Sequence, residues 1–370
     1  MGFDLTAQQR EAQEVYRAFV SESIVPYADQ WDRDQALPPE VFRTLGAKGY
    51  LVPSLPAEYG GRGMDMLHYG LFSEEIGRGC QSVRNLLGVQ GMVAHALLRF
   101  GSRSQKQLWL PRIASGETVA AFALTEPSIG SDASNVRTTA TRTDTGYVLN
   151  GVKKWISFGV KAGIFLVIAH SGEAASAFLV ERGTPGFSTE PITDLMGLRA
   201  SMLGELRFED CEIPAENRVG KEGIGFAWIA NTALDYGRYS TACGCVGLSQ
   251  ACLDASQSYS RERKQFGVPI REHQLVRQML TNMRVNSQAA RLLCYHAGYL
   301  RDQGSPDAIQ ATLAAKYFAS THVSLAAADA VQIHGAQGIG YGYPVQRYMR
   351  DAKVMEIIEG TTQIQQVFID

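Results

Sequence analysis

The sequence predicts an α+β multidomain chain: an N-terminal helical domain, a middle β-domain and a C-terminal helical bundle. Three observations carry this. Apolar residues recur at helical spacing up to about Ser115, alternate with a period of two from about Val119 to Val219, and return to helical spacing from Gly223. The expected boundaries are 1–117, 118–222 and 223–370. In the first unit Val15, Phe19 and Ile24 mark an apolar stripe, and a helix over Glu40 to Leu45 starts behind Pro38-Pro39. The loop Leu55 to Gly63 interrupts the run. In the second unit Thr138 to Val148 is rich in β-branched residues around a turn at Asp144-Thr-Gly146. A further turn is expected at Asn150-Gly151, and strands at Ile164 to Ala169 and Ala177 to Val180. In the third, a helix from His273 to Leu300 carries Val276, Met279, Met283, Ala290 and Leu293 near one face. Ser305-Pro306-Asp307 announces the next helix, Ala308 to about Val331, with a hydroxyl as N-cap and a proline at the first helical position. Its many alanines allow close helix–helix approach.

Composition removes several classes of function. Among 370 residues, Lys+Arg 35 against Asp+Glu 37 gives a net charge of −2, so no basic footprint for nucleic acid exists. Charged residues are 19 % of the chain, below the usual ~25 %, which points to surface covered by a cofactor or sister subunits. The longest apolar stretch, Ala162 to Ala169, is too short to span a membrane. The segment Met1-Gly-Phe-Asp-Leu-Thr6 fits a myristoylation pattern in form only and is unlike an export signal. The six cysteines (Cys80, Cys211, Cys243, Cys245, Cys252, Cys294) lack metal-ligand spacing and read as reduced thiols of a cytoplasmic protein. Seven dispersed histidines form no ligand pair. Gly335-Ala-Gln-Gly-Ile-Gly340 has the wrong spacing for a dinucleotide fingerprint and follows a helix, and no Gly-x-Ser-x-Gly elbow exists.

Two stretches carry chemistry. Phe122-Ala-Leu-Thr-Glu-Pro-Ser-Ile-Gly-Ser-Asp132 is a strand opening into a turn lined by backbone N–H groups and hydroxyls. Such a turn suits a planar heteroaromatic ring or a pyrophosphate, and Trp155 and Ser157 supply a flat ring and a hydroxyl nearby. In Met355-Glu-Ile-Ile-Glu-Gly-Thr-Thr-Gln363, Glu359 sits between two isoleucines and a glycine. Buried, its carboxylate would be raised toward neutrality and become a usable general base. Exposed, it would be a helix-terminal glutamate capping Thr361 and Thr362. The residues alone leave both readings open.

Taken together these stretches resemble the signatures of the acyl-CoA dehydrogenase superfamily. Ala123 to Asp132 resembles its first signature, and Gln332-Ile-His-Gly-Ala-Gln-Gly338 through Arg347 and Asp351 its second. Leu55 to Gly61, Arg199-Ala-Ser201, Phe208 to Cys211, Arg263-Lys-Gln-Phe-Gly267, His273-Gln274 and Arg350 to Lys353 add blocks in family order, so the resemblance spans nearly the whole chain. It implies the acyl-CoA dehydrogenase fold with a β-barrel-like middle domain, a four-helix bundle, a homodimer or homotetramer, and non-covalent FAD. By position, Phe122, Leu124, Thr125, Gly130 and Ser131 would line the isoalloxazine and pyrophosphate, with Trp155, Ile156 and Ser157 alongside. Arg263, Phe266 and Gln274 would reach a neighbouring subunit's FAD, as would Gln332, Gly335 and Ala336, while Thr361 and Gln363 follow the base. The resemblance makes Glu359 the catalytic base, because the position that carries it in the isovaleryl and long-chain branch is Gly237 here. Ser131, Asp235, Gly237, Arg238 and Gly360 would adjoin the thioester and its phosphopantetheine arm.

Tyr236-Gly-Arg-Tyr-Ser240, Gly244-Cys-Val-Gly247, Gly304-Ser-Pro306 and Met355 to Gly360 resemble, within the superfamily, acyl-carrier-protein dehydrogenases. These make hydroxymalonyl, methoxymalonyl or aminomalonyl extender units for polyketides. Ile129, Ala336, Gly342, Leu203 and Leu195 depart from the generic pattern. The expected activity is therefore hydride transfer from a short acyl thioester to flavin N5, with an electron acceptor the sequence leaves unnamed. A short-chain acyl-CoA dehydrogenase is the alternative, and a non-catalytic flavin-binding subunit a second one.

Overall fold

The structure, a computed structural model, describes residues 4–369; the first three residues of the Met1 to Thr6 segment lie outside them. Six helices come first: α1 (Ala7–Ser23), α2 (Ala28–Asp34), α3 (Pro39–Ala47), α4 (Met66–Gly79), α5 (Gln81–Phe100) and α6 (Arg103–Ser115). Helix α1 begins with a capping box in which the Thr6 hydroxyl accepts from Gln9 N and the Gln9 side chain accepts from Thr6 N. Its inner face is Tyr16, Phe19 and Val20, whereas Val15 is 54 % exposed. Of the expected stripe Phe19 and Ile24 are buried and Val15 alone turns outward, its place taken by the aromatic Tyr16 in contact with Tyr50 and Phe72. Pro39 opens α3 as its first residue.

Eight strands form one sheet: β1 (Ala120–Ala123), β2 (Thr139–Arg142), β3 (Gly146–Ile156), β4 (Ile164–Ser171), β5 (Ala174–Glu181), β6 (Phe187–Pro191), β7 (Gly204–Pro214) and β8 (Arg218–Val219). The order is β6-β7-β3-β2-β4-β5-β8, with β1 lying parallel to β4. No turn forms at Asn150-Gly151. Strand β3 runs straight through as an irregularity in its pairing with β7; Gly151 takes φ 145°, and a Cβ there would meet Thr138 Oγ1 at 2.7 Å, so the position suits glycine alone.

After a π-helical turn (Gly225–Ala230) come α7 (Asn231–Glu262), a short hairpin of β9 (Lys264–Gln265) and β10 (Val268–Pro269), α8 (Gln274–Asp302), α9 (Ala308–His334), α10 (Val345–Met355) and α11 (Thr362–Phe368). Helices α7, α8 and α9 pack along one another with α10 against α9 and α7, and α4 lies on α7. On α8, Met283 and Ala290 are buried, and Val276, Met279 and Leu293 pack at the edge of the same core. Ser305 is not the cap of α9: its hydroxyl accepts from Asp307 N at 3.3 Å, closing a local turn, and Asp307 occupies the cap position.

Two apolar cores result. One joins the N-terminal helices to the sheet, the other fills the bundle, and Phe122 and Leu234 pack against both. Polar groups stitch the parts together. Arg350 pairs with Asp32, and Arg347 with Asp29, tying α10 to α2. No helix of the described residues is long and apolar enough to cross a membrane.

Candidate active site

Helix α10 ends at Met355 and the chain turns back through Ile358, Glu359 and Gly360 before α11 starts. Glu359 holds φ 56° and Gly360 φ 90°, both left-handed. For a glutamate this is an uncommon backbone state, tolerated where surrounding structure fixes it. Here the fixing is visible. Arg238 Nε donates to Glu359 O at 3.1 Å, Lys316 Nζ to Gly360 O at 2.6 Å, and Gln365 Nε2 to both carbonyls at 3.1 Å. The Glu359 side chain does not cap the following helix. Thr361 does, its hydroxyl accepting from Ile364 N at 3.3 Å.

The Glu359 carboxylate points inward. Oε2 is buried without a hydrogen-bond partner, and burial pushes the group up to about 7, against the pull of Arg238, Arg84 and Lys316. The room it occupies is provided by Gly237 on α7, where an added Cβ would lie 2.6 Å from Oε2 and 2.9 Å from Met92 Sδ on α5. Gly237 therefore makes space for the Glu359 carboxylate itself. Arg238, next on α7, is largely buried and pulled down by desolvation. Asp235 is engaged by Arg301, with Arg301 Nη2 donating to Oδ1 at 2.5 Å.

A second group of expected residues lies across α5. Strand β1 leads from Phe122 into the loop holding Leu124, Thr125, Gly130 and Ser131. Glu126 N and Ile129 N each bond the other's carbonyl, making a tight turn, and Lys154 N donates to Thr125 O at 2.8 Å. Beneath it the buried Lys153 ammonium donates to Leu124 O at 3.0 Å and Glu126 Oε1 at 2.8 Å. Burial pushes Lys153 down to about 8 even so. Removing either partner of such a pair costs about 3–5 kcal/mol, so this pair fixes the shape of the loop. Gly130 has open space where a Cβ would stand, and Ser131 is exposed. Trp155 takes φ 62° and is 51 % exposed, a large ring turned outward. Ile156 is in the core, so only its backbone can face a ligand. Ser157 Oγ accepts from Asn85 Nδ2 at 3.0 Å. Asn85 follows Arg84 on α5, so consecutive residues of one helix reach the loop side and the Glu359 side.

The third group stands apart. Arg263, Phe266 and Gln274 lie at the β9–β10 hairpin and the start of α8, and Gln332, Gly335 and Ala336 at the end of α9. All are exposed, Phe266 at 95 %. From Gly237 to Arg263 is most of the length of α7, about 39 Å at 1.5 Å per residue. Within one chain these residues do not meet Glu359. Thr361 and Gln363 follow Glu359, half-buried and exposed.

Sequence reasoning missed Arg84, Met92, Lys316 and Gln365. Arg84 and Lys316 are fully buried cations, each alone in an apolar or alanine-rich helical stretch. A lone cation on such a helix was the available signal. Among the described residues no group of acids, cysteines and histidines is placed to hold a metal.

An inward carboxylate whose Oε2 has no partner thus stands across α5 from an open loop, on a helical–β–helical fold. The comparisons give the family: the chain belongs to the acyl-CoA dehydrogenases. The N-terminal, middle and C-terminal domain families match residues 6–117, 121–211 and 223–369. An acryloyl-CoA reductase (NADH) of Anaerotignum propionicum is 38 % identical over 377 residues, covering 100 % of this chain and 95 % of the relative. Among solved structures, a glutaryl-coenzyme A dehydrogenase in its glutaryl-CoA complex has a TM-score of 0.95 at 37 % identity, covering 100 % and 95 %. A glutaryl-CoA dehydrogenase of Mycobacterium smegmatis in complex with FADH2 has a TM-score of 0.94 at 29 %, covering 99 % and 94 %. The prolyl acyl carrier protein oxidase AnaB has 0.93 at 29 %, covering 99 % and 98 %.

Proposed function

We propose that this chain is an FAD-dependent dehydrogenase of short acyl-CoA thioesters, with Glu359 as the base. The observation that carries it is the buried, partnerless Glu359 Oε2 in the space left by Gly237. The preference for CoA over a carrier protein rests on the acyl-CoA enzymes among the relatives, and corrects the weight first placed on extender-unit chemistry. Phe122, Leu124, Thr125, Gly130, Ser131, Trp155, Ser157 and the Ile156 backbone would hold the flavin ring and pyrophosphate. The open space at Gly130 and the outward Trp155 ring fit such a group. When bound, FAD supplies a hydride acceptor at N5 for the substrate β-carbon.

The protein's own part is proton and charge control. Among the described residues the Glu359 N–H donates to no backbone oxygen, so it is available to hold the thioester carbonyl and acidify the α-proton. Oε2 then takes that proton. Burial has brought the carboxyl close to neutral, which raises its basicity while leaving much of it ionised at physiological pH. Gly360 and Arg238 keep the turn in place, and Ser131 and Asp235 would adjoin the pantetheine arm. A second copy would bring Arg263, Phe266, Gln274, Gln332, Gly335 and Ala336 to the cofactor, with Thr361 and Gln363 beside the base, so a homo-oligomer belongs to this reading. The six cysteines are unpaired and buried, which supports a cytoplasmic setting.

Anaerobic mixing with butyryl-CoA tests this. The flavin should bleach, and Glu359→Gln should lower the rate about 10²–10⁴-fold while flavin stays bound. The base works deprotonated, so kcat/KM should fall about tenfold per pH unit below about 7 and level off above it. Undiminished turnover by Glu359→Gln would end this assignment. A second reading keeps the same site but takes the thioester from a carrier protein for extender-unit synthesis. The likeness to AnaB favours it, and competition between butyryl-CoA and the same acyl group on a carrier protein separates the two.

A further inference from the structure

We propose that Asn85 is a positioning residue for the flavin ring: its amide holds the Ser157 hydroxyl so that the one hydrogen of that hydroxyl is directed at the ring, where it favours the reduced cofactor. The proposal rests on the reading that FAD lies against the β1 loop and Ser157, and does not depend on Glu359 being the base. Asn85 stands on α5 and is 5 % exposed. Its Nδ2 donates to Ser157 Oγ at 3.0 Å and to Ser201 Oγ at 3.1 Å. A carboxamide nitrogen carries two hydrogens, so both are committed.

Each of the two hydroxyls accepts from Asn85 and has one hydrogen of its own to give. Ser201 is fully buried, so its hydrogen stays inside the protein. Ser157 is half-buried, and among the described residues its hydroxyl donates to no protein atom. With Asn85 on its accepting side, what Ser157 presents to a ligand is a donor. Reduction raises the electron density on the heteroatoms of a flavin ring, so a donor held there stabilises the reduced form more than the oxidised one.

The backbone around this hydroxyl is fixed. Phe158 N, next to Ser157, donates to Ser201 O at 2.8 Å, and Ser201 N donates to Leu198 O at 2.9 Å. Leu198 N in turn donates to Asp351 Oδ1 on α10 at 2.7 Å. Three residues before Ser157, Lys154 N is bonded to Thr125 O of the β1 loop. Rotation of the hydroxyl is the freedom that remains, and Asn85 removes it. An alanine at this position would leave the hydroxyl free to turn. The preceding residue, Arg84, donates from Nη2 to Met355 Sδ at 3.6 Å, at the end of α10 where the chain enters the Glu359 turn. One stretch of α5 thus ties the Ser157 hydroxyl and the Glu359 turn to the same rigid element.

Flavin-loaded protein without substrate tests this. Reduced slowly and anaerobically beside a redox dye of known potential, each variant yields a ratio of reduced to oxidised flavin at a fixed dye ratio. Ser157→Ala should lower that ratio at least about tenfold, the effect of one hydrogen bond to a charged group. Asn85→Ala should lower it about three- to tenfold and have no further effect in the Ser157→Ala background, because the two residues act as a unit. Where Asn85→Ala does not load with FAD, Asn85→Ser, which keeps one donor, should give a smaller loss of the same sign. An Asn85 that merely supports the fold would weaken FAD binding equally in both oxidation states and leave the ratio unmoved. That result, a ratio raised by Asn85→Ala, or an equal loss in the Ser157→Ala background would overturn the proposal while FAD binding stands. Wild-type protein that takes up no FAD would end the reading of the cofactor site and this proposal with it.

Discussion

The two ends of helix α7 differ in how completely they are built. At its start Gly237 and Arg238 meet the Glu359 turn, and the polar groups there converge: Arg238, Lys316 and Gln365 hold the Glu359 and Gly360 carbonyls. At its end Arg263 leads into a hairpin whose Phe266 is almost wholly exposed, and Gln332, Gly335 and Ala336 at the end of α9 are exposed as well. One end is a candidate reacting centre whose polar groups all come from within the chain. The other presents a guanidinium with no side-chain partner among the described residues and an aromatic ring met only edge-on by His273, which is how a shared site would look in a single subunit. The difference teaches that, on the proposed reading, one chain would supply the base but only part of the cofactor's surroundings.

The sharpest way to break this comparison uses both ends at once. Glu359→Gln and Arg263→Ala are each expected to be nearly inactive, the second through loss of flavin. Mixed oligomers of the two should regain activity. In a mixed pair, one site combines the intact Glu359 of one subunit with the intact Arg263 of the other, so random association gives about one quarter of the wild-type sites. Turnover of co-expressed, differently tagged subunits measures it. No recovery would mean that Arg263 serves its own chain's site.

A smaller effect probes the Glu359 end. Gly237→Ala would set a methyl 2.6 Å from Glu359 Oε2. The carboxylate is the flexible end of a side chain, so it moves and the fold survives. A displacement of about 1 Å from the reacting atom costs about 10²-fold in kcat. Stopped-flow flavin reduction should register that loss with thermal stability nearly unchanged.

How much of this was legible in the sequence varies with the kind of residue. The three zones were, because hydrophobic period reports directly on helix and strand. Glu359 and Gly237 were visible through the resemblance, although Gly237 was expected only to adjoin the thioester; packing shows that it makes space for the Glu359 carboxylate. Arg84 and Lys316 were invisible. Each sits at one position of a long helix, and whether a lone cation there faces solvent or the core depends on which neighbouring helix covers it. The same limit explains Val15 against Tyr16 at α1. At Asn150-Gly151 the local turn signal lost to the pairing of β3 with β7 on both sides of it, and at Ser305 a side-chain turn displaced the cap by two residues.

The smallest expected effect separates holding the turn from doing chemistry. Gln365 is fully buried, and its amide donates to the carbonyls of both left-handed residues. Those carbonyls keep other donors, from Arg238 and Lys316. Gln365→Ala removes two hydrogen bonds without leaving either acceptor bare, so the loss should be about 1–2 kcal/mol, read as a lowered apparent Tm of the flavin-loaded protein. Flavin retention should be unaffected, since the far end of α7 is untouched, and kcat should fall only a few-fold as the turn loosens. A drop as large as that of Gly237→Ala would mean that the strain stored at Glu359 and Gly360, rather than the space at Gly237, sets the position of the carboxylate.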